Sequence, residues 1–372
     1  MTLFLFELKK IIFSRRFQYL SAIILLLIGA LYVRNILFQD LLIKEQQKQV
    51  DISTREVQSH LRAFVLQQEK DSENMILSER ITHLSTALDA LYEWKPLLQS
   101  EDWQARLQTE NTFLTALLSY KETGGEFSLS TPEMERTLAW NDQLLRQGIE
   151  PSPENYGTSL PNFMKQITDI YVNIGAIVLL LLLIGDLLTI EFEQGSIRFL
   201  YTQPVKKSAI LHAKSLTAIT IYLFVTAAIF IFTWLLGLTI GKPGSFSYPV
   251  MIDKGDSFTF IPIFQYIQWS LSGTSCIILL VIPLCMLISL YAKNAIITLL
   301  SVMVIIIGGY FSMQAVSWSG QPWIDPFHLL FTGRTIQTIS GLWIYSVPIT
   351  LLLALLIYLF ALLKMKRTVD IS

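Results

Sequence analysis

The chain has 372 residues, of which 52% are hydrophobic and 15% charged, and its mean hydropathy is +0.49. That composition lies outside the usual range of soluble domains. The formal net charge is −1, and no nucleic-acid partner is expected.

A bilayer core about 30 Å thick needs roughly 20 apolar residues in helical form. Six runs reach that length, at about 17–38, 170–190, 216–240, 269–291, 295–315 and 342–363. In lipid only helices and closed barrels satisfy their own backbone. These Leu/Ile-rich runs are too long for barrel strands, which alternate over about ten residues. The expected fold class is therefore an all-α integral membrane protein with six transmembrane helices. The first run is longer than the roughly 7–15 apolar residues of a signal peptide, and no small-residue cleavage site follows it. It is expected to remain as an anchor.

Residues 39–168 come next and read mainly as helix. Leu77, Ile81, Leu84, Leu88 and Leu91 are spaced in a seam of heptad type, and a second helical stretch runs through Trp103, Leu107, Leu114 and Leu117. Thr131-Pro132-Glu133 reads as a helix start, with Thr131 as the cap and proline in the first turn. EPSPENYGTSLP at 150–161 reads as a linker that returns the chain to the membrane. Two heptads are too few for a free coiled coil, so a hairpin or small bundle is expected. The segment holds no cysteine and must be held by core packing.

Orientation follows from Lys and Arg near the span ends. With the N-terminus in the cytoplasm, the cytoplasmic segments carry Lys9, Lys10, Arg15, Arg16, Arg198, Lys206, Lys207, Lys214, Lys293, Lys364, Lys366 and Arg367. The acids there are Glu7, Glu191, Glu193 and Asp370, whereas 39–168 holds 12 basic and 20 acidic side chains, a net charge of −8. Both termini are expected in the cytoplasm and 39–168 outside.

Within the later spans, Asp186 is the one acid in an apolar run. It lies about a turn and a half before Glu191, near the inner rim, where snorkelling to the headgroups or pairing with a cytoplasmic base is the expected role. A gate or proton-linked residue is the alternative. Asn173 and Asp186 in the second span, and Asn294, Thr298 and Ser301 in the fifth, are candidates for lining a polar path. Pro283 and Pro348 are expected to kink spans four and six. Cys276 and Cys285 are nine residues apart, on roughly opposite faces of one helix, and a disulfide between them is not expected. GKPGSFSYPVMIDKGDSF at 241–258 reads as a loop, FHLLFTGRTIQTI as an interfacial or re-entrant helix, and Trp318, Trp323 and Trp343 suit an aromatic belt.

No catalytic site is expected. No phosphate-binding G-x-x-x-x-G-K-[ST] occurs, and GLTIGKP at 237–243 has too short a gap and ends in Pro243. His60, His83, His212 and His328 lack ligand spacing, so no metal is expected.

The connector EFEQGSIRFLYTQPVKK at 191–207 packs acids, bases and two helix breakers between spans two and three. Gly195 and Pro204 bound a short surface helix carrying Ile197, Leu200 and Tyr201 at helical spacing, and Lys206 and Lys207 follow as anchors. Glu191, Gly195-Ser196, Leu200, Pro204, Lys207 and Lys214 together resemble the coupling-helix pattern of ABC-2 permeases, the membrane subunits of type V ABC exporters. Ser196 and Lys207 stand where Thr and Arg are usual, and Lys207 lacks the bidentate fork of Arg. FELKKIIFSRR at 6–16 resembles the amphipathic interface helix that precedes the first span in that family. The insert at 39–168 resembles that of a bacterial subgroup, which implies a bacterial plasma membrane.

The resemblance implies a permease that exports cargo with a separate ABC ATPase subunit, paired with a second permease in a homo- or heterodimer and surrounded by membrane lipids. No cofactor binds the chain directly, ATP and magnesium being held by the partner. It also implies that Glu191, Glu193, Gly195, Arg198, Leu200, Pro204, Lys206 and Lys207 couple to the ATPase. Few charges lie at the midplane, which favours an amphipathic or hydrophobic cargo such as a peptide, antibiotic or lipid-like molecule. A sodium-extrusion permease and a membrane-anchored sensor or scaffold are the alternatives. The expected organisation is an interface helix and first span at 1–38, an extracellular helical domain at 39–168, and spans two to six at 169–372.

Overall fold

Apolar residues dominate the chain from its first turn, and it answers with helix almost throughout. The computed structural model describes residues 2–70, 74–187, 189–196, 206–255, 257–315, 324–338 and 342–367. Among these, helices α1 (Thr2–Ile12) and α2 (Arg15–Leu37) are followed by α3 (Gln39–Gln68), α4 (Met75–Leu97), α5 (Trp103–Glu122) and α6 (Thr131–Gln147). Then come α7 (Leu160–Val172), α8 (Gly175–Ile184), α9 (Thr189–Glu193) and α10 (Lys207–Thr239). A hairpin of β1 (Pro249–Asp253) and β2 (Phe258–Pro262) leads into α11 (Ile263–Ala292), α12 (Ala295–Ala315), α13 (Thr332–Thr338) and α14 (Ser346–Arg367). Six segments are long and apolar enough to cross a membrane: Arg15–Leu37, Gly175–Glu193, Lys207–Thr239, Ile263–Ala292, Ala295–Ala315 and Ser346–Lys366. The chain is an all-α integral membrane protein.

Contacts divide the chain into two compact units, Tyr32–Thr158 and Met1–Leu31 with Ser159–Ser372. In the first, α3 packs on α4, α4 on α5, and α5 on α6. Leu77, Leu84 and Leu91 of the α4 seam are buried, with Ala87 and Ala90 beside them, while Ile81 and Leu88 are half-buried. The α3 helix supplies Val50 and Val57 to the same core, with Leu61 and Phe64 against it, one heptad of spacing that sequence reading passed over. Helix α5 starts behind Asp102, whose Oδ1 accepts from Ala105 N at 3.0 Å. Helix α6 begins one residue earlier than its proline suggests, with Ser130 rather than Thr131 in the extended cap position. The segment before Ser159 is tied down within its unit: Tyr32 donates to Thr158 O, Asn35 to Gly157 O and Arg34 to Asn155 O, while Arg34 covers the Tyr156 ring.

Between α5 and α6 a ladder of polar groups meets. Asn141 donates to Glu110 Oε2 at 3.1 Å and to Asn111 Oδ1 at 2.9 Å, and Asn111 donates to Asp142 at 2.9 Å. Burial raises the Glu110 carboxyl from its ordinary value to about 7, with the Asn141 amide and the charge of Arg106 opposing the rise.

In the second unit α11 is the central helix and packs against α7, α8, α10, α12, α13 and α14. The stretch 160–172 lies in this unit and forms the buried α7, where the sequence reading ended its linker at 161 and placed the boundary after 168. Its run of Asn162, Lys165, Gln166 and Thr168 hid an amphipathic helix behind linker composition. Asn173 and Ile174 break the helix before the second span, Ile174 having a left-handed φ of 74°. Gly185 marks a tight approach: a Cβ there would meet Leu299 Cδ2 of α12 at 2.2 Å and the Leu181 carbonyl at 2.4 Å.

Three loop-level expectations are corrected. Residues 249–262 form an antiparallel hairpin, with Met251 opposite Phe260, where a plain loop was expected. β-Branched and aromatic residues on both arms carry it, and Gly255 at φ 86° serves its turn. Pro283 does lie inside α11, but Pro348 sits in the first turn of α14, where no backbone bond is lost. The expected helix around 327–339 is a 3₁₀ turn at His328–Leu330 followed by α13, with Leu329, Leu330, Thr332 and Ile336 buried. Trp318 and Trp323 lie outside the described residues.

Candidate functional site

Helix α10 carries a lysine two turns into its length, in the apolar sequence AILHAKSLTAI. Lys214 is 0% exposed, and an ammonium buried that far must be compensated by opposite charge and hydrogen bonds. Two hydrogen bonds and a further ion pair compensate it. Nζ lies 2.7 Å from Glu191 Oε1, 3.3 Å from Glu7 Oε1 and 2.6 Å from the Leu187 carbonyl. Glu7 and Glu191 are each 3% exposed. Lys10, on the exposed side of α1, brings its Nζ to 3.8 Å from the same Glu191 oxygen. Two acids and two bases make the cluster neutral.

The cluster joins three pieces of chain. Glu7 comes from α1, which packs along α10. Glu191 comes from α9, at the exit of the second span, and Lys214 from the start of the third. The connector between α9 and α10 is therefore tied at its root to α1. Thr189, beside Glu191, is also fully buried.

Neighbouring polar groups extend this arrangement. Arg16, at the start of α2, pairs with Asp186 and donates to the Leu182 carbonyl at 2.6 Å, so Asp186 meets a base at the end of α8, as its position near the rim suggests. Glu193 Oε1 accepts from Ala295 N at 2.8 Å, and Asn294 Oδ1 accepts from Ile297 N at 3.0 Å. The first turn of α12 thus has one donor satisfied by its own cap and another by an acid from α9, whose charge also suits the positive helix end. Gly195 follows at a left-handed φ of 67°, two residues beyond α9, which only glycine adopts without penalty.

Lys206 is the extended cap of α10 and Lys207 its first residue. Positive charge at a helix N-terminus opposes the dipole, so these two bases gain nothing for α10 by that route. Arg198, Leu200 and Pro204 lie outside the described residues, as does the middle of the expected surface helix.

The path candidates separate in space. Thr298 is buried, with its hydroxyl donating to the Asn294 carbonyl at 2.8 Å, and Ser301 is half-buried one turn on. Asn173 caps α7, and its Oδ1 is buried with no hydrogen-bond partner among the described residues. Close to it stands a polar group that sequence reasoning missed. Lys165 pairs with Asp169 at 3.1 Å, Tyr266 donates to the other Asp169 oxygen, and Gln337 approaches the Tyr266 hydroxyl at 3.4 Å. The i, i+4 spacing of Lys165 and Asp169 was the available signal.

Of the Lys214 cluster, the sequence reading named Glu191 as a coupling residue and counted Lys214 among the motif bases. Glu7 and Lys10 were passed over as ordinary charges of an amphipathic helix. Their signal was the pairing of one acid with two bases, ELKK, on a helix that otherwise alternates Leu, Phe and Ile. Among the described residues no group of three or more His, Cys, Asp or Glu is placed to hold a metal ion.

Residues 1–361 match the family model described as ABC-2 family transporter protein. No match was found among curated proteins or among solved structures.

Proposed function

The chain belongs to the ABC-2 transporter family, whose members are membrane transport subunits working with an ABC ATPase subunit that hydrolyses the nucleotide. From that premise we propose that this permease belongs to a type V exporter and receives the ATPase stroke at residues 191–207. The observation that carries the proposal is the Lys214 cluster, which ties the root of the connector to α1 and α10 by three short contacts. A partner that pushes on the connector pushes on Glu191, and through Lys214 on both helices. Rigid-body transmission needs such a joint, because a loosely packed connector would absorb the movement.

The remaining expectations join this reading. The connector faces the cytoplasm together with both termini, and residues 39–168 lie outside. Lys206 and Lys207, at the start of α10, lie on the side of the connector that meets the partner's surface or the lipid headgroups. ATP and magnesium stay on the partner. A second permease completes the conduit. Asn173, Asp186, Asn294, Thr298 and Ser301 supply polar groups toward it, although Asp186 and Asn294 have structural partners of their own. The cargo is amphipathic or hydrophobic, because the described spans hold no ring of ligands that would replace the hydration shell of an ion.

The experiment is to reconstitute the chain with the ATPase subunit that co-purifies from its native membrane. Leu200→Pro removes a backbone donor from the connector and costs about 3 kcal/mol if that stretch is helical. The variant is expected to insert and bind lipid normally but to lose cargo-stimulated ATP hydrolysis. Normal coupled transport by Leu200→Pro contradicts the docking assignment.

A further inference from the structure

On the side of the bundle formed by α10, α11 and α14, a groove of about 520 Å³ opens outward. Its floor is Ile282, Pro283 and Ala354, all buried, and its rims are the exposed Leu216, Leu279, Leu351 and Leu355. Pro283 contributes to the hollow chemically as well as sterically, since a proline inside α11 presents no N–H and a compact ring in place of a longer side chain. Ala354 does the same on α14, where its neighbours along the helix are leucines.

Polar atoms gather at one end only. There His212 of α10 and Tyr358 of α14 are hydrogen-bonded through Nδ1 and the phenol hydroxyl, and Ser215 contacts Met286 Sδ at 3.0 Å. From His212 to Ile219, and from Leu351 to Tyr358, each wall runs about 10 Å along its helix, well within one leaflet. The polar end is the end nearer Lys206 and Lys207 on α10 and nearer Lys364 and Lys366 on α14. Bases on both walls therefore stand beyond the histidine, while the other end runs into apolar side chains.

We propose that this groove seats one acyl chain of an anionic phospholipid, drawn from the leaflet on the Lys206/Lys207 side, with its phosphate held at the His212–Tyr358 end. The volume falls within the about 300–1,000 Å³ of small-molecule sites. The groove opens to the bilayer rather than to water, so its occupant arrives laterally. One wall is the N-terminal part of α10, which also carries Lys214 on its inner side. An occupied groove therefore braces the helix that the connector enters. The inference rests on the orientation adopted above but needs neither the ATPase subunit nor transport to be tested.

The full-length chain is purified in detergent and exchanged into nanodiscs holding phosphatidylglycerol and phosphatidylethanolamine, each in turn carrying a diazirine on its acyl chain. Expected adducts from the phosphatidylglycerol probe concentrate on the peptides of Leu279, Leu351 and Leu355, with labelling several-fold above that on the exposed Val304 of α12. Ala354→Phe fills the floor and lowers those adducts at least fivefold. Leu355→Trp covers the mouth from an exposed position and does the same without touching the packing beneath. His212→Ala removes the preference for the anionic lipid while leaving apolar labelling in place. Adducts spread evenly over lipid-facing residues, or unchanged in Leu355→Trp, overturn the site. Equal labelling by both probes in the unaltered chain overturns the anionic headgroup. Loss of coupling in Leu200→Pro with groove labelling intact leaves this inference standing, and the converse result leaves the docking assignment standing.

Discussion

The Lys214 cluster and the Glu110 ladder both bury acids between helices, and they compensate them differently. Glu7 and Glu191 meet an ammonium at 3.3 and 2.7 Å, so charge answers charge. Glu110 meets the Asn141 amide at 3.1 Å, and burial moves its carboxyl to about 7. The cluster joins segments far apart in sequence, and removing any member strands the others. The ladder joins two consecutive helices through neutral amides and leaves its acid free to take up a proton. The first is a mechanical joint sensitive to mutation, and the second is a local contact sensitive to pH.

The largest expected effect comes from breaking the joint. Lys214→Met leaves two buried carboxylates without their ammonium and is expected to cost about 3–5 kcal/mol. Neutralising all three positions, as Glu7→Gln, Lys214→Met and Glu191→Gln together, should recover most of that loss. Reversible unfolding in detergent measures both. A Lys214→Met protein as stable as the parent contradicts the joint, as does a triple variant no better than the single one.

A smaller effect is expected in the ladder, where its sign follows from linkage. The folded state holds the Glu110 proton more tightly than the unfolded chain, so this stability is complete below about pH 4.5 and is lost as pH rises through about 7. Amide protection factors in α5 and α6 of the full-length protein, corrected for the intrinsic exchange rate at each pH, should therefore fall between pH 5 and 8. Glu110→Gln should flatten that dependence and protect these helices at pH 8 by about 1–3 kcal/mol. Protection factors that stay constant or rise with pH contradict the assignment.

The smallest effect belongs to the Arg16–Asp186 pair, whose side chains are 45% and 29% exposed. Water screens such a pair, and Arg16→Gln is expected to cost about 0–1 kcal/mol, less at high salt. A loss comparable with that of Lys214→Met would place this pair inside the joint rather than at its rim.

These contrasts also show what could be read from sequence. The six spans were legible because membrane helices announce themselves by uninterrupted apolar length, and the family resemblance agreed with the match over 1–361. Helix α7 was not, because Lys165, Gln166 and Asp169 break the apolar run and a Pro/Ser-rich stretch precedes it. The hairpin at 249–262 was hidden by the glycines and prolines around it. Among the residues that the resemblance proposes for coupling, Glu191 and Glu193 could be named from sequence, but the contacts they make could not. Their partners lie far along the chain: Glu7 is 184 positions from Glu191, and Ala295 is 102 positions from Glu193. Tertiary pairing of that range leaves no periodic trace in one sequence.

The central claim is that the connector rooted in the Lys214 cluster touches the ATPase subunit. A photo-crosslinking residue placed at Ser196, just beyond Gly195, tests it in native membranes, with the same residue at Ser128 in the other unit as comparison. The account predicts a covalent adduct between position 196 and the ATPase subunit and none from position 128. An adduct from 128, or none from 196 while the complex still assembles, would contradict it.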